Sequence, residues 1–227
     1  MLALGDSITN GGGELQWGVA LQSWALWVAR GLGLPYTPHA ADGARVADVL
    51  AAQIPAVSGE RYDVGCLYIG VNDVRALDWD RAAFERDHRA ALRFLKDRCD
   101  RVVTATVPLD LGRPRAGARV DEANTAIEDS ADDADALVLD LRHFRGRALL
   151  MADHVHPTAF GQIAIAEAAL DLLARDGMEV RVGPSLLIHY DTTRVGRLRG
   201  DLTYAYRHAK VSCRAFLAAR RDRFRTA

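Results

Sequence analysis

Four short segments carry side chains suited to acyl-transfer chemistry. Ser7 stands in Gly5-Asp6-Ser7-Ile8-Thr9, directly after an apolar run. A serine at a sharp strand-to-helix turn presents its hydroxyl above a sheet, with backbone N–H groups beside it, and is a candidate nucleophile. Far along the chain, Asp153-His154-Val155-His156-Pro157 offers an imidazole, His156, that can take the serine proton. Asp153, three residues earlier, can hold the ring's tautomer and stabilise the imidazolium. Between them lie Ala41-Asp42-Gly43-Ala44-Arg45 and Gly70-Val71-Asn72-Asp73. Gly43 lets a backbone N–H approach a developing oxyanion, the Asn72 amide can donate to the same oxygen, and Asp73 can brace its loop. Taken singly, each segment has a plainer reading: a helix cap for Asp6 and Ser7, a turn glycine for Gly43, an Asx turn at Asn72, and a polar helix start at Asp153 or His154.

Joint chemistry requires that all four sit at one edge of one sheet. Residues 2–5 read as a buried strand. Trp17, Leu21, Trp24, Val28 and Leu32 recur at helical spacing and are closed by Gly31 and Gly33, predicting a first long helix. Residues 36–39 predict a second strand, 45–54 a short helix before Pro55, and 64–69 a third strand. A helix capped by Asp80 and a strand over 101–107 follow, then a helix over 120–130, a strand over 136–141, and a last helix opening at Pro157 and closing before Gly177. Five strands alternating with helices imply a parallel sheet covered on both faces. The reactive crevice of such a sheet lies beyond the carboxyl ends of its strands, where the four segments fall.

In that order, Gly5-Asp6-Ser7, Gly43, Gly70-x-Asn72-Asp73 and Asp153-x-x-His156 resemble the blocks of the SGNH, or GDSL, hydrolase family over about residues 1–176. Ile8 departs from the eponymous leucine, and Ala41 stands where many members carry asparagine. The resemblance implies an α/β fold: a three-layer α/β/α flavodoxin-like sandwich with a central five-stranded parallel sheet. It further implies Ser7 as nucleophile, Asp153 and His156 completing a catalytic triad, an oxyanion hole made by Ser7 N–H, Gly43 N–H and the Asn72 side chain, and no metal or organic cofactor. The expected substrate is a small-molecule acyl ester.

The bulk numbers agree with a soluble globular protein. With 227 residues, 49% of them hydrophobic, one core domain plus an appendage is expected: residues 1–177 as the hydrolase domain and 178–227 as a basic, helical C-terminal extension. Cys66, Cys99 and Cys213 are odd in number and form no CxxC pair, so a disulfide framework or zinc knuckle is not expected. No secretory leader pattern opens the chain and no run of about 18 apolar residues occurs, so a cytoplasmic protein with no membrane span and no membrane partner is expected. A metal hydrolase using Asp6, Asp153, His154 and His156 is a rival that leaves Ser7 and Asn72 without roles.

Net charge is −1 overall, yet residues 178–227 hold 11 basic against 4 acidic residues, leaving −8 on the rest. Within this extension, residues 180–190 predict a strand and 201–224 a helix. Its stripe of Leu198, Leu202, Ala205, Ala209, Cys213, Phe216 and Leu217 is expected to pack on the core or on a twin subunit in a homodimer, with the basic face solvated. The alternative is a binding protein on a hydrolase scaffold that uses the arginines for an acidic partner, nucleic acid being an unlikely one.

Overall fold

Leu2, Ala3 and Leu4 are fully buried because β1 (Leu2–Gly5) lies between neighbours on both edges and helices on both faces. The structure, a computed structural model, describes residues 1–58, 61–190 and 192–225, with side chains of the last helix as far as Leu217. β2 (Thr37–Pro38), β3 (Tyr62–Tyr68), β4 (Cys99–Ala105) and β5 (Leu137–Leu139) join β1 in an all-parallel sheet of order β2-β1-β3-β4-β5. α1 (Ser7–Asn10), α2 (Trp24–Leu32) and α3 (Val46–Asp48) come first, α3 running on through a π-type stretch, Val49–Gln53, and a 3-10 turn, Ile54–Ala56. α4 (Arg81–Arg98), α5 (Arg119–Ala134), α6 (Ala159–Arg175) and α7 (Arg194–Arg225) follow.

Helix α2 packs on α6 and α4 on α5, which gives the two outer layers of a three-layer α/β/α sandwich. The winding reverses between β1 and β3, so the loops leaving those strands diverge and open a crevice at their carboxyl ends. The expected fold class is the one observed.

The sequence pattern misplaces several boundaries. Helical spacing from Trp17 predicts a helix that begins only at Trp24, because Ser23 caps it: Ala25 and Leu26 N–H donate to Ser23 Oγ at 3.1 and 3.4 Å. Trp17 belongs instead to a loop, with φ at +49°, its ring set against Phe160 and Tyr190. The last core helix begins at Ala159, capped by Thr158, which leaves Pro157 outside it. Residues 180–190 form no strand; their regular element is a 3-10 turn, Pro184–Leu187.

Helix α7 differs most from expectation. Asp201, Tyr204, His208, Val211 and Ala215 turn inward and are half-buried, while Leu198, Leu202 and Phe216 stand 59%, 64% and 61% exposed. The seam is polar: Asp201 pairs with Arg147, Arg207 with Glu14, and His208 meets the ring of His154 at 5.4 Å. Polar groups with partners at hand dock the helix, and the stripe expected to be packed faces outward within this chain.

Gln53 holds β1 in place: Gly5 N–H donates to its Oε1 at 2.9 Å and its Nε2 donates to Gly5 carbonyl at 2.8 Å. Truncation leaves a buried N–H without an acceptor as well as a cavity, so Gln53→Ala is expected to cost about 2–4 kcal/mol of stability, read from urea denaturation midpoints.

Candidate active site

The turn that leaves β1 requires glycine. Gly5 has φ at +146°, and a Cβ there would lie 2.3 Å from the Tyr68 carbonyl oxygen. Asp6 then adopts extended backbone and caps α1, its Oδ1 accepting from Ile8 N–H at 2.9 Å. Ser7 therefore stands in the first helical position, where its own N–H has no intrahelical acceptor. This follows the sequence expectation of a strand-to-helix turn that lifts the serine above the sheet edge.

Ser7 Oγ lies 3.0 Å from His156 Nε2, and His156 Nδ1 lies 2.8 Å from Asp153 Oδ2. With the Nδ1 proton donated to the carboxylate, Nε2 is left to accept from the Ser7 hydroxyl. Asp153 Oδ1 accepts from Val155 and His156 N–H at 2.9 and 3.1 Å, so the loop is wound around the carboxylate that faces the ring. Burial works to raise the Asp153 carboxyl, but the hydrogen bonds from the His156 ring and the two backbone N–H groups outweigh it and hold it below the usual carboxylate range. The Asp153 hydrogen bond in turn raises His156 above the ordinary histidine value of 6.5, against burial.

Side-chain hydrogen bonds tie the remaining loops to this turn. Asn72 Nδ2 donates to Ala44 carbonyl at 2.9 Å, which spends one amide hydrogen on the loop that carries Gly43 and leaves the second. Gly43 has φ at +75°, and a Cβ there would meet nothing within 4 Å. Asp73 accepts from Val46 N–H at 3.1 Å, the bracing role its position suggested, and burial pushes its carboxyl up to about 6. Asn10 Nδ2 donates to Asp42 Oδ1 at 2.9 Å, linking the end of α1 to the same loop.

Sequence reasoning missed two groups, Gln162 and Gly12. Gln162, buried on α6, donates from Nε2 to the Ile8 and Gly12 carbonyls at 3.0 and 3.1 Å and accepts from Trp24 N–H at 2.8 Å. A glutamine on the apolar face of a helix was the available signal. Gly12 packs where a Cβ would approach Ser7 carbonyl at 2.8 Å and His156 Cδ2 at 3.3 Å, so the glycine loop abuts both residues. His154, at φ +56°, turns away from His156 toward Asp110 Oδ2 at 3.1 Å and Arg113, and so does not join Asp6, Asp153 and His156 as the metal reading required. Among the described residues, no three or more His, Cys, Asp or Glu side chains are gathered to share a metal ion.

A cleft of about 880 Å³ separates the loop after the glycines from α7, walled by Gly13, Trp17 and Leu21 on one side and Arg199, Tyr204 and Arg207 on the other. A cavity of about 430 Å³ at His154 and Leu150 shares Arg147 and Tyr204 with it. Neither counts Ser7 or His156 in its walls. Gly13, in the wall of the cleft, follows Gly12, which abuts both.

The fold recurs in known structures. An α/β hydrolase enzyme from the metagenome of Lake Arreo, Spain, is similar over 76% of this chain and 94% of its own, with TM-score 0.62 and 21% identity. An acetylxylan esterase from Geobacillus stearothermophilus is similar over 79% and 95%, with TM-score 0.60 and 22% identity. An extracellular lipase from Streptomyces rimosus covers 77% and 97%, with TM-score 0.56 and 24% identity. At these identities the likeness is one of fold. No curated protein matches the chain in sequence. The sequence model of GDSL-like lipases and acylhydrolases matches residues 3–163, most of the chain and all four loops. The chain belongs to the GDSL-like lipase/acylhydrolase family.

Proposed function

We propose that this hydrolase is a serine esterase that cleaves a carboxylic ester of a small acyl group, such as acetyl, through Ser7, His156 and Asp153. The observation that carries the reading is the unbroken hydrogen-bonded line from Ser7 Oγ through His156 to Asp153. Ser7 Oγ attacks the ester carbonyl as His156 Nε2 accepts its proton, and Asp153 stabilises the imidazolium that forms. Ser7 N–H, Gly43 N–H and the second Asn72 amide hydrogen hold the oxyanion. His156 returns the proton to the leaving alcohol, and water, activated by the same ring, then releases the acid.

A short acyl group is supported by the likeness to an acetylxylan esterase. Spaces lie beyond Gly13 and at His154. The alcohol portion accordingly extends toward the cleft beside Trp17. We assign the enzyme to the cytoplasm, a reading supported by three free thiols, two of them buried.

Hydrolysis of p-nitrophenyl esters from acetate to decanoate tests this. Wild type is expected to turn over acetate fastest and to decline with chain length, and Ser7→Ala to lose several orders of magnitude on every ester. Activity retained in Ser7→Ala would remove the assignment. Asn72→Ala is expected to lower kcat about 100- to 1,000-fold, the usual size for one oxyanion donor.

The pH dependence has a definite sign. His156 must be neutral to accept the proton, and Asp153 raises its pKa, so kcat/KM should fall on acidification with a midpoint above the ordinary histidine value of 6.5. Asp153→Asn removes the raising interaction, so the residual activity should titrate at lower pH than wild type, as measured by a pH–rate profile of both proteins.

A further inference from the structure

Helix α7 presents three faces. At about 100° per residue, Val195, Leu198, Leu202, Tyr206, Cys213 and Leu217 fall within an arc of about 120°, the width of an apolar stripe that normally meets a core. Here Val195 is 76% exposed and Tyr206 68%. The stripe runs about 33 Å along the helix. Lys210 and Arg214 line one flank, and the face opposite the stripe is the polar seam that docks on the body. An outward apolar surface of this length is uncommon on a soluble monomer unless something covers it.

Charge selects the occupant. α7 holds nine arginines and one lysine against two aspartates, a net +8. A twofold pairing of α7 with a second copy would set like charge against like, +4 on each copy over the 195–217 stretch that carries the stripe. An apolar stripe flanked by cations, on a helix whose other residues are mostly charged or polar, instead matches a surface that is acyl inside and anionic at its boundary. The acidic body does not cancel this attraction, because exposed charges act over about 8 Å at physiological ionic strength. No helix among the described residues is long and apolar enough to cross a membrane, which leaves the interface plane as the place for α7.

We propose that α7 is a membrane-surface helix that docks its outward face on anionic phospholipid, the stripe at the acyl boundary and the flanking cations at the phosphates. This goes beyond ester hydrolysis and does not depend on it. It also fixes an orientation: His208 on the inner face contacts His154 of the loop that carries His156, so docking brings the mouth of the site close to the lipid surface.

Co-sedimentation of the full chain with vesicles tests the assignment, using phosphatidylcholine with about 30% phosphatidylglycerol against phosphatidylcholine alone. Binding is expected to the anionic vesicles, weakening as salt rises, with little to the neutral ones. Lys210→Gln with Arg214→Gln should weaken binding about 30-fold. Leu198→Asp with Leu202→Asp should abolish it while leaving thermal unfolding and p-nitrophenyl acetate turnover unchanged. Ser7→Ala should bind like wild type, which separates this inference from the catalytic one. Equal binding to both vesicles, or to neither at low salt, would overturn it. So would a solution mass twice the 24.8 kDa of one chain that the Leu198→Asp, Leu202→Asp protein halves, since the stripe would then be covered by a second copy.

Discussion

The close approach of the β1–α1 turn to β3 is the constraint on which the site depends. With Gly5 packed against the Tyr68 carbonyl, no side chain fits, and the chain must turn at Asp6. Asp6 N–H closes the turn by donating to that carbonyl at 3.3 Å, and Ala41 N–H donates to Gly5 carbonyl at 3.1 Å. One peptide corner therefore fixes the start of α1 and the loop after β2, and its contact with the end of β3 places the Asn72 loop beside it. Sheet order makes this corner a crevice instead of a packed junction, because β1 and β3 are adjacent while the helices that follow them cover opposite faces.

Holding the corner has an electrostatic cost. Asp6 is fully buried, with one carboxylate oxygen on Ile8 N–H and the other without a partner among the described residues, and burial pushes its carboxyl up to about 7. Asp73, up to about 6 for the same reason, repeats the pattern one loop away. Each folded pKa lies above the ordinary aspartate value of 3.8, so the native state holds protons that the unfolded chain has released. The stability these groups contribute therefore declines as pH rises from about 4 to about 7. His156, held above 6.5 by Asp153, loses its proton only from the upper end of this range onward, and there becomes able to act as a base. Conditions that activate the proposed base thus load the turn beside it with buried negative charge, which Gln53 and Gln162, by pinning the backbone on either side, help the fold to tolerate.

The four loops were legible in the sequence because each is a residue type whose chemistry is local: a glycine that must turn, a serine after an apolar run, and a histidine three residues from its carboxylate. The parallel sheet and its two covering layers followed from the alternation of elements, while the strand order did not. Gln53 and Gln162 were not legible, since their partners are backbone atoms 48 and 154 residues away and no spacing rule reaches that far. Periodicity also misled at Trp17, where ring packing on Phe160 and Tyr190 imitates the spacing of a helix.

The same limit explains α7. A 3.6-residue period shows that one face is apolar without showing which way it turns, and the direction is decided by competition at the docking seam. Arg147, Glu14 and His154 present charge and ring surface that only polar residues of α7 can satisfy. Turning the leucines inward would leave those groups facing hydrocarbon, a penalty for every unpaired charge, whereas turning them outward exposes apolar area whose cost any covering surface can relieve. The body therefore binds the helix by its polar side, and the hydrophobic free energy of the stripe is left for an encounter outside the chain.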